Sequence, residues 1–424
     1  MRVKKAAEKD EMVMISEQTF QFKKSKANYR GLFIVFHYEQ KDESFLVGLH
    51  ENASIIEVGS LKNGLKGEEF SSLKQVLLNN QVSKETKKEG IVVELEFSAL
   101  YRQRLINPVF RAFMLEQPIQ NCTWDYLLIL NTSVEGVTHP EKPIWHKPVM
   151  TKEQYISKLI QISPVFLRFL SDKPVTLIRF PHGVEKEFFY QKNCPDYAPA
   201  YIKTIQIEKI DYIVCQDLKT LTWLGNQLAL EFHIPFQKMN SKNPHEIVFD
   251  LDPPDYASFS LAIKAAQQMK KIFDQFSIRS FPKFSGNKGI QIHLPINDQS
   301  LSYEETRIFT FFIAQYLVNE HPDDFTIERM KNKRGKRLYI DFLQHAGGKT
   351  IIAPYSPRGN KKPLIALPLE WEELYEEVIP EDITIDYAIK RLKEKECPMS
   401  HYFEESNNPL KVFIKKLKKE WRKK

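Results

Sequence analysis

Cysteine is scarce, with four residues (Cys122, Cys194, Cys215 and Cys397) in 424, all far apart and none in a CxxC pair. That spacing excludes a structural zinc knuckle and a disulfide framework, and it suits a reducing cytoplasm. Long apolar runs are missing too. No stretch of about 18 apolar residues suggests a membrane span, and the opening MRVKKAAEKDEMVMISE has no apolar core of a secretory signal. Excess charge is also lacking over most of the chain. The net charge is +7, yet the last fourteen residues, KVFIKKLKKEWRKK, carry eight basic residues and one acid, so the remainder sums to zero. The basic balance that hints at nucleic acid comes from the tail, and function has to be argued from particular sites. What is present is ordinary for a globular protein, 42% hydrophobic and 27% charged residues over a length that suggests two or three domains.

Residues 1–17 read as a polar, flexible leader. From 18 to 125 the pattern is mostly β: GLFIVFHYE, SFLVGLHE, SIIEVGSL and GIVVELEFSAL are short β-rich runs between polar turns. EEFSSLKQVLLNNQ, with Phe70, Leu73, Val76 and Leu77 at helical spacing, supplies one helix. Strands and one helix in this order fit a small OB-type β-barrel. Residues 126–150 hold three prolines and little periodicity and read as a linker. From 151 to 405 helices and strands alternate, giving an α+β multidomain chain whose second domain is α/β. TKEQYISKLIQISPVFLRFLSD predicts a Thr-capped helix, and RLYIDFLQHAGGKTIIAPY predicts two strands around a Gly-Gly turn. Residues 406–424 form a basic tail, either a short amphipathic helix with Val412, Phe413, Leu417 and Trp421 partly on one face or a solvated terminus.

The segment HEIVFDLDPPD carries the sharpest chemistry. Alternation along a strand puts Asp250 and Asp252 on one face and Phe249 and Leu251 on the other. Two close carboxylates repel unless a divalent cation lies between them, and Mg²⁺ or Mn²⁺ held by one or two carboxylates plus substrate phosphates is the usual arrangement. A lone DxD also occurs as two solvent-facing acids at a strand end, so its neighbours matter. In RLYIDFLQ, Asp341 shares a face with Arg337 and Tyr339, as a third metal ligand or as a partner of Arg337. FPKFSGNKGIQIHLPI offers a Ser-Gly turn with Ser285 and Lys288, suited to a triphosphate, followed by Gln291 and His293 on one face. In APYSPRGN, Arg358 stands in a Pro-bounded loop where it is able to grip phosphate.

Taken in order, DLDPPD, SGNKGIQIH, YIDFLQ and APYSPRG resemble the polymerase domain of bacterial ligase D, a member of the archaeo-eukaryotic primase superfamily that serves non-homologous end joining. The resemblance runs from about Val134 to Leu374. It implies a primase-like core with an RRM-like fold that adds nucleotides, often ribonucleotides, to DNA ends with two Mn²⁺ or Mg²⁺ ions. It implies Asp250, Asp252 and Asp341 as metal ligands, and His233, Ser285, Lys288, Gln344, Arg358, Arg179 and Lys192 around the nucleotide. Phe189 and Tyr190 match stacking aromatics, and Lys142 and Lys152 match lysines that clasp a DNA 5′-phosphate. This chain has His139 where the family usually has Asn, and Gln291 where many members have His; His293 on the same face is a candidate to compensate. The first domain resembles the OB domain of ATP-dependent DNA ligases. No KxDG adenylation motif occurs, and RAFMLEQ replaces the arginine-rich stretch after PVF, which implies that this chain does not seal nicks. The barrel is then a DNA-binding or docking module or a leftover fold.

The residues and the resemblance together give a template-dependent end-joining polymerase. The expected partners are 5′-phosphorylated DNA ends, ribo- or deoxyribonucleoside triphosphates, a Ku-like end binder and a separate ligase, with no membrane. The alternatives are a catalytically weak end-bridging module and a de novo primase.

Overall fold

The computed structural model describes residues 13–16, 19–22, 28–51, 54–79, 90–101, 103–132, 136–376 and 378–421. The chain folds as two compact units, Met1–Pro140 and Glu141–Lys424. Most of the expected leader lies outside the described residues, but its end forms the strand Val13–Ser16, paired with Thr19–Phe22.

In the first unit, five antiparallel strands lie in the order Ser54–Leu61, Ser44–Glu51, Tyr29–Glu39, Ile91–Phe97 and Val109–Phe113. Phe33, Ile34, Val35 and Phe36 are all buried, so the central strand is covered on both faces. Register shifts at Val35/His37, Val47/Gly48 and Glu94/Leu95 bend the sheet. The expected barrel is not closed by a ladder among the described residues. Among the described residues the two edges approach through a parallel bridge between Asn63 and Val109, next to a Phe110 N–H that donates to the Asn63 carbonyl at 2.9 Å. In the helix Gly67–Asn79, Leu73 and Leu77 are buried as the spacing predicts, but Val76 faces outward, 41% exposed. The stretch read as linker holds most of the helix Trp124–Leu130 and the hairpin Pro143–His146 with Val149–Thr151.

The second unit is built on two sheets. One has the order Phe281–Phe284, Ile290–Pro295, Glu246–Asp252, Leu338–Asp341 and Phe325–Thr326. With the helices Phe259–Gln275 and Tyr303–Glu320, its first four strands run β-α-β-β-α-β along the chain. The inner face of Glu246–Asp252 presents Phe249 to both helices, with ring centroids 6.1 Å from Phe273 and 5.9 Å from Phe309. The other sheet has the order Phe189–Gln191, Thr176–Arg179, Ala229–Pro235 and Thr350–Ile352. Against it lies the helix Lys152–Leu170, with Tyr155 OH donating to the Ala229 carbonyl at 2.6 Å and the Phe166 and Phe232 ring centroids 5.2 Å apart; its N-cap Thr151 and Gln154 close a capping box.

Two expectations change here. The strands flanking Gly347 and Gly348 do not pair with each other. Leu338–Asp341 belongs to the first sheet and Thr350–Ile352 to the second, so the Gly-Gly turn carries the chain between sheets. The basic tail forms the helix Asn408–Trp421, with Leu410 and Ile414 as its buried stripe, while Val412 and Trp421 stay about half exposed. Phe413 packs 4.6 Å from Phe276, and Lys411 and Lys418 pair with Asp298 and Glu305. Two of the tail lysines are thus neutralised within the fold. No described helix is long and apolar enough to cross a membrane, and the four cysteines are unbridged.

At the polar start of the strand Glu246–Asp252, buried Glu246 receives Lys173 Nζ at 3.2 Å, His293 Nδ1 at 2.8 Å and Tyr402 OH at 2.7 Å. Burial pushes nearby His245 down to about 3, His293 to about 4 and His345 to about 3. The folded protein therefore keeps these rings neutral, whereas the unfolded chain protonates them near 6.5. Stability from this source is intact above about pH 6.5 and is lost as pH falls towards 4. Asp250, raised to about 6, works in the opposite direction but is a single group. We expect the melting temperature to drop steadily from pH 7 to pH 5; a flat profile over that range contradicts the buried neutral histidines.

Candidate active site

Asp250 owes its surroundings to strand register. It lies directly opposite Gln291 on one neighbouring strand and Asp341 on the other. Directly opposed residues share a face with Cβ atoms about 5 Å apart, so two acids and an amide form a row. Gln291 Nε2 donates to Asp250 Oδ1 at 3.1 Å. Burial drives the Asp250 carboxyl up to about 6; the Gln291 hydrogen bond lowers it, and the charges of Asp252 and Asp341 add to the rise. Asp341 Oδ1 accepts from Tyr339 OH at 3.1 Å and from the Gln344 N–H at 2.9 Å. Arg337 does not pair with it, because its guanidinium is bonded to the Arg334 and Lys333 carbonyls. Asp252, two residues beyond Asp250, is met by Lys288 Nζ at 3.5 Å and Arg334 Nη1 at 3.6 Å.

Asp250 and Asp252 border a cavity of about 280 Å³, whose lining also includes His233, Ser285, Lys288, Gln291, Gln344 and Arg358; Asp341, opposite Asp250, stands outside the lining. Ser285 closes the turn, with its N–H on the Gly289 carbonyl at 2.9 Å and its Oγ accepting from Gly289 N at 3.1 Å. Gly286 has φ +78°, and a Cβ there would lie 2.5 Å from Arg358 Cγ. A Cβ on Gly289 would strike the Leu251 carbonyl oxygen. Both glycines are thus required for the turn to press against the acid strand. Lys288 reaches over it to the Pro254 carbonyl at 2.8 Å.

The opposite wall comes from the second sheet. His233 Nε2 is 3.0 Å from Glu231 Oε2, and Arg358 Nη1 is 3.3 Å from the same oxygen. The Gly359 N–H donates to Glu231 Oε1 at 3.1 Å. Burial alone would push Glu231 up, but His233, Arg358 and Gly359 hold it below the usual carboxylate range. Burial lowers His233, against the pull of Glu231. Glu231 orients both side chains and was missed by the sequence reading. Its signal was its shared face with His233, two residues on along a strand.

Other expected residues lie apart from this cavity. Arg179 does not line it, since its guanidinium is bonded to Gln227, Gln191 and Tyr197 and lies 5.2 Å from the Phe189 ring centroid. Phe189 and Tyr190 are exposed on an edge strand, beside exposed Phe188, and Lys192 is exposed just beyond them. His293 shares the face of Gln291 but is buried on Glu246, so it does not compensate for the missing histidine. Lys142 Nζ donates to the Pro181 carbonyl at 2.6 Å. Lys152 is buried at the start of its helix and lowered to about 8, by burial first and the Lys142 charge second. His139 is exposed in the first unit with φ 51°.

Two further cations were missed. Lys283 lies opposite Gln291 on the edge strand, fully buried. Arg334, from the basic run RMKNKRGKR, stacks 3.8 Å over the Tyr339 ring. As a check on the second wall, Glu231→Ala leaves His233, Arg358 and the Gly359 N–H without their acceptor. We expect a loss of about 2 kcal/mol in a denaturant titration; an unchanged midpoint contradicts the role given to Glu231.

Comparisons with known proteins bear on this geometry. Residues 151–399 match the family model described as the LigD primase-polymerase domain. The chain is 37% identical over 401 residues to the bifunctional non-homologous end joining protein LigD of Bacillus subtilis, covering 92% of this chain and 66% of that protein. It is 27% identical over 265 residues to the multifunctional LigD of Mycolicibacterium smegmatis, covering 61% of this chain and 34% of that one. The polymerase domain of Mycobacterium tuberculosis ligase D, solved in complex with DNA, superposes with a TM-score of 0.58 at 25% identity, over 63% of this chain and 97% of that one. The chain thus spans less than two thirds of these curated relatives. With more than half of its residues inside the matched family model, the chain belongs to the LigD primase-polymerase domain family.

Proposed function

We propose that this protein is a DNA-end-directed nucleotidyltransferase that adds nucleotides, ribonucleotides included, to a primer 3′-OH during non-homologous end joining. The observation that carries this reading is the pairing of Asp250 with Asp341 across adjacent strands, with Asp250 and Asp252 lining a cavity that also holds Lys288, Arg358 and His233. Acids beside cations in one cavity suit a metal–triphosphate complex.

The donor set fits Mn²⁺ or Mg²⁺. Asp250 is destabilised as an anion by burial and by two neighbouring carboxylates, and a divalent cation relieves that. Among the described residues no three His, Cys, Asp or Glu side chains are grouped so as to hold a metal ion; Mn²⁺ and Mg²⁺ usually take one or two carboxylates and complete their coordination with water and phosphate. Asp250, Asp252 and Asp341 would hold two such ions, which when bound supply positive charge for the attacking and leaving oxygens. Lys288 and Arg358 neutralise charge on the triphosphate, and the Ser285–Gly289 turn stands beside them. Glu231 keeps His233 oriented towards the nucleotide, and Gln344 braces Asp341 through its N–H. Exposed Phe189 and Tyr190 offer π-faces to bases, with Arg179 beneath Phe189. Lys142 and Lys152, near enough for the charge of one to lower the other, clasp the 5′-phosphate.

The β-α-β-β-α-β order supports an RRM-like primase core. A five-stranded antiparallel sheet bent by register shifts supports an OB-type first unit, acting in DNA binding or docking. A Ku-like end binder and a separate ligase complete the reading, with sealing left to the ligase.

A primer-extension assay with Mn²⁺ tests it, comparing ribo- with deoxyribonucleotides on gapped DNA with and without a 5′-phosphate. We expect extension, strongest with the 5′-phosphate, and Asp250→Ala to lower it by at least ~10²-fold while DNA binding persists. Binding to phosphorylated ends without extension under any condition would instead favour an end-bridging module.

A further inference from the structure

The mechanism above leaves a buried charge unused. Lys283 has no exposed surface, although it sits on an edge strand between Phe281 and Phe284. Strand register places it opposite Gln291, Gln291 opposite Asp250, and Asp250 opposite Asp341. Four polar side chains therefore cross the first sheet in one row, and Lys283 is its cationic end. Its Nζ leaves that sheet and donates to the Ile352 carbonyl, on the edge strand of the second sheet. Ile352 is in turn the register partner of His233. One side chain thus ties the carboxylate wall of the cavity to the His233 wall.

Packing alone does not account for a lysine there. A buried ammonium is costly, and an apolar side chain of the same length fills the same space without that cost. Burial lowers Lys283 to about 7, while the charges of Glu246 and Asp250 pull it back up. Gln291 supplies no charge to the row. Its amide N–H is on Asp250, and its buried Oε1 has no hydrogen-bond partner in the structure.

We propose that Lys283 is a positioning residue that holds the Asp250–Asp341 sheet and the His233 strand at the spacing a nucleoside triphosphate requires. The inference rests on reading the cavity as a nucleotide site. Lys283 touches no substrate in this arrangement and acts through the Ile352 carbonyl and through the row ending at Asp341.

The test is ATP binding with Mn²⁺, by calorimetric titration, beside a thermal melt of each variant. Lys283→Met keeps the length and removes both donor and charge. We expect its ATP dissociation constant to rise at least tenfold while binding to 5′-phosphorylated DNA stays within twofold of wild type. His233→Ala should weaken ATP binding in the wild-type background and add little on top of Lys283→Met, a coupling that a merely structural lysine would not give. Lys283→Gln, which keeps a neutral donor, covers a Met variant that fails to fold and should bind ATP at least threefold more weakly. Either variant folded and binding ATP like wild type overturns the proposal, as do additive effects of His233→Ala and Lys283→Met. Loss of folding in both variants assigns Lys283 to the core and also overturns it. Wild-type protein that binds ATP but extends no primer sinks the polymerase reading alone, whereas wild-type protein that binds no ATP overturns both.

Discussion

The facing of Asp250 and Asp341 across two antiparallel strands is the constraint on which the rest of the site depends. Like charges opposite each other weaken a sheet, so the strand Glu246–Asp252 has to be held by something else. Its inner face does this. Ile247, Phe249 and Leu251 are fully buried, and Phe249 packs on rings from both covering helices. Burying one such side chain is worth roughly 1.5–3 kcal/mol, enough to offset repulsion between two partly hydrated acids. The outer face is then free to carry function: Glu246, Asp250 and Asp252 all lie on it.

That face divides along its length. At the Glu246 end, Lys173, His293 and Tyr402 saturate a buried carboxylate and give rigid anchoring. At the Asp252 end the carboxylate is over a third exposed and is met only at 3.5 Å or more, by Lys288 and Arg334. A single strand thus passes from a buried, fully paired carboxylate to a loosely paired, solvent-reaching acid within seven residues. The rigid end fixes where Asp250 stands, and the open end leaves room for incoming charge.

Much of this was legible in the sequence, for a physical reason. Strand alternation is local, so the shared face of Asp250 and Asp252, and the face of Asp341, follow from residue order alone. The turn at Ser285 was legible because it depends on Gly286 and Gly289 in place. Register and inter-sheet contacts are not local. Nothing in FPKF shows that Lys283 will stand opposite Gln291, and the face Glu231 shares with His233 does not show that it will also collect Arg358 and Gly359. The same non-locality misled the reading of His293, which shares a face with Gln291 yet belongs to Glu246. Arg179 was expected at the nucleotide, but its guanidinium is consumed by Gln227, Gln191 and Tyr197. In the first unit four of the five sheet strands and the helix were legible from their runs, whereas Val109–Phe113 was not. Closure of the sheet was not, since a barrel requires edge pairing that propensity does not encode.

The central claim is that the Asp250–Asp341 pair and the Lys288–Arg358 side of the cavity together hold a metal–triphosphate complex. Anomalous scattering from a crystal grown with Mn²⁺ and a non-hydrolysable nucleoside triphosphate tests it directly. The account predicts manganese peaks within coordination distance of Asp250, Asp252 and Asp341, with the phosphates reaching towards Lys288 and Arg358. Manganese absent from these carboxylates, with the triphosphate bound elsewhere, would contradict it.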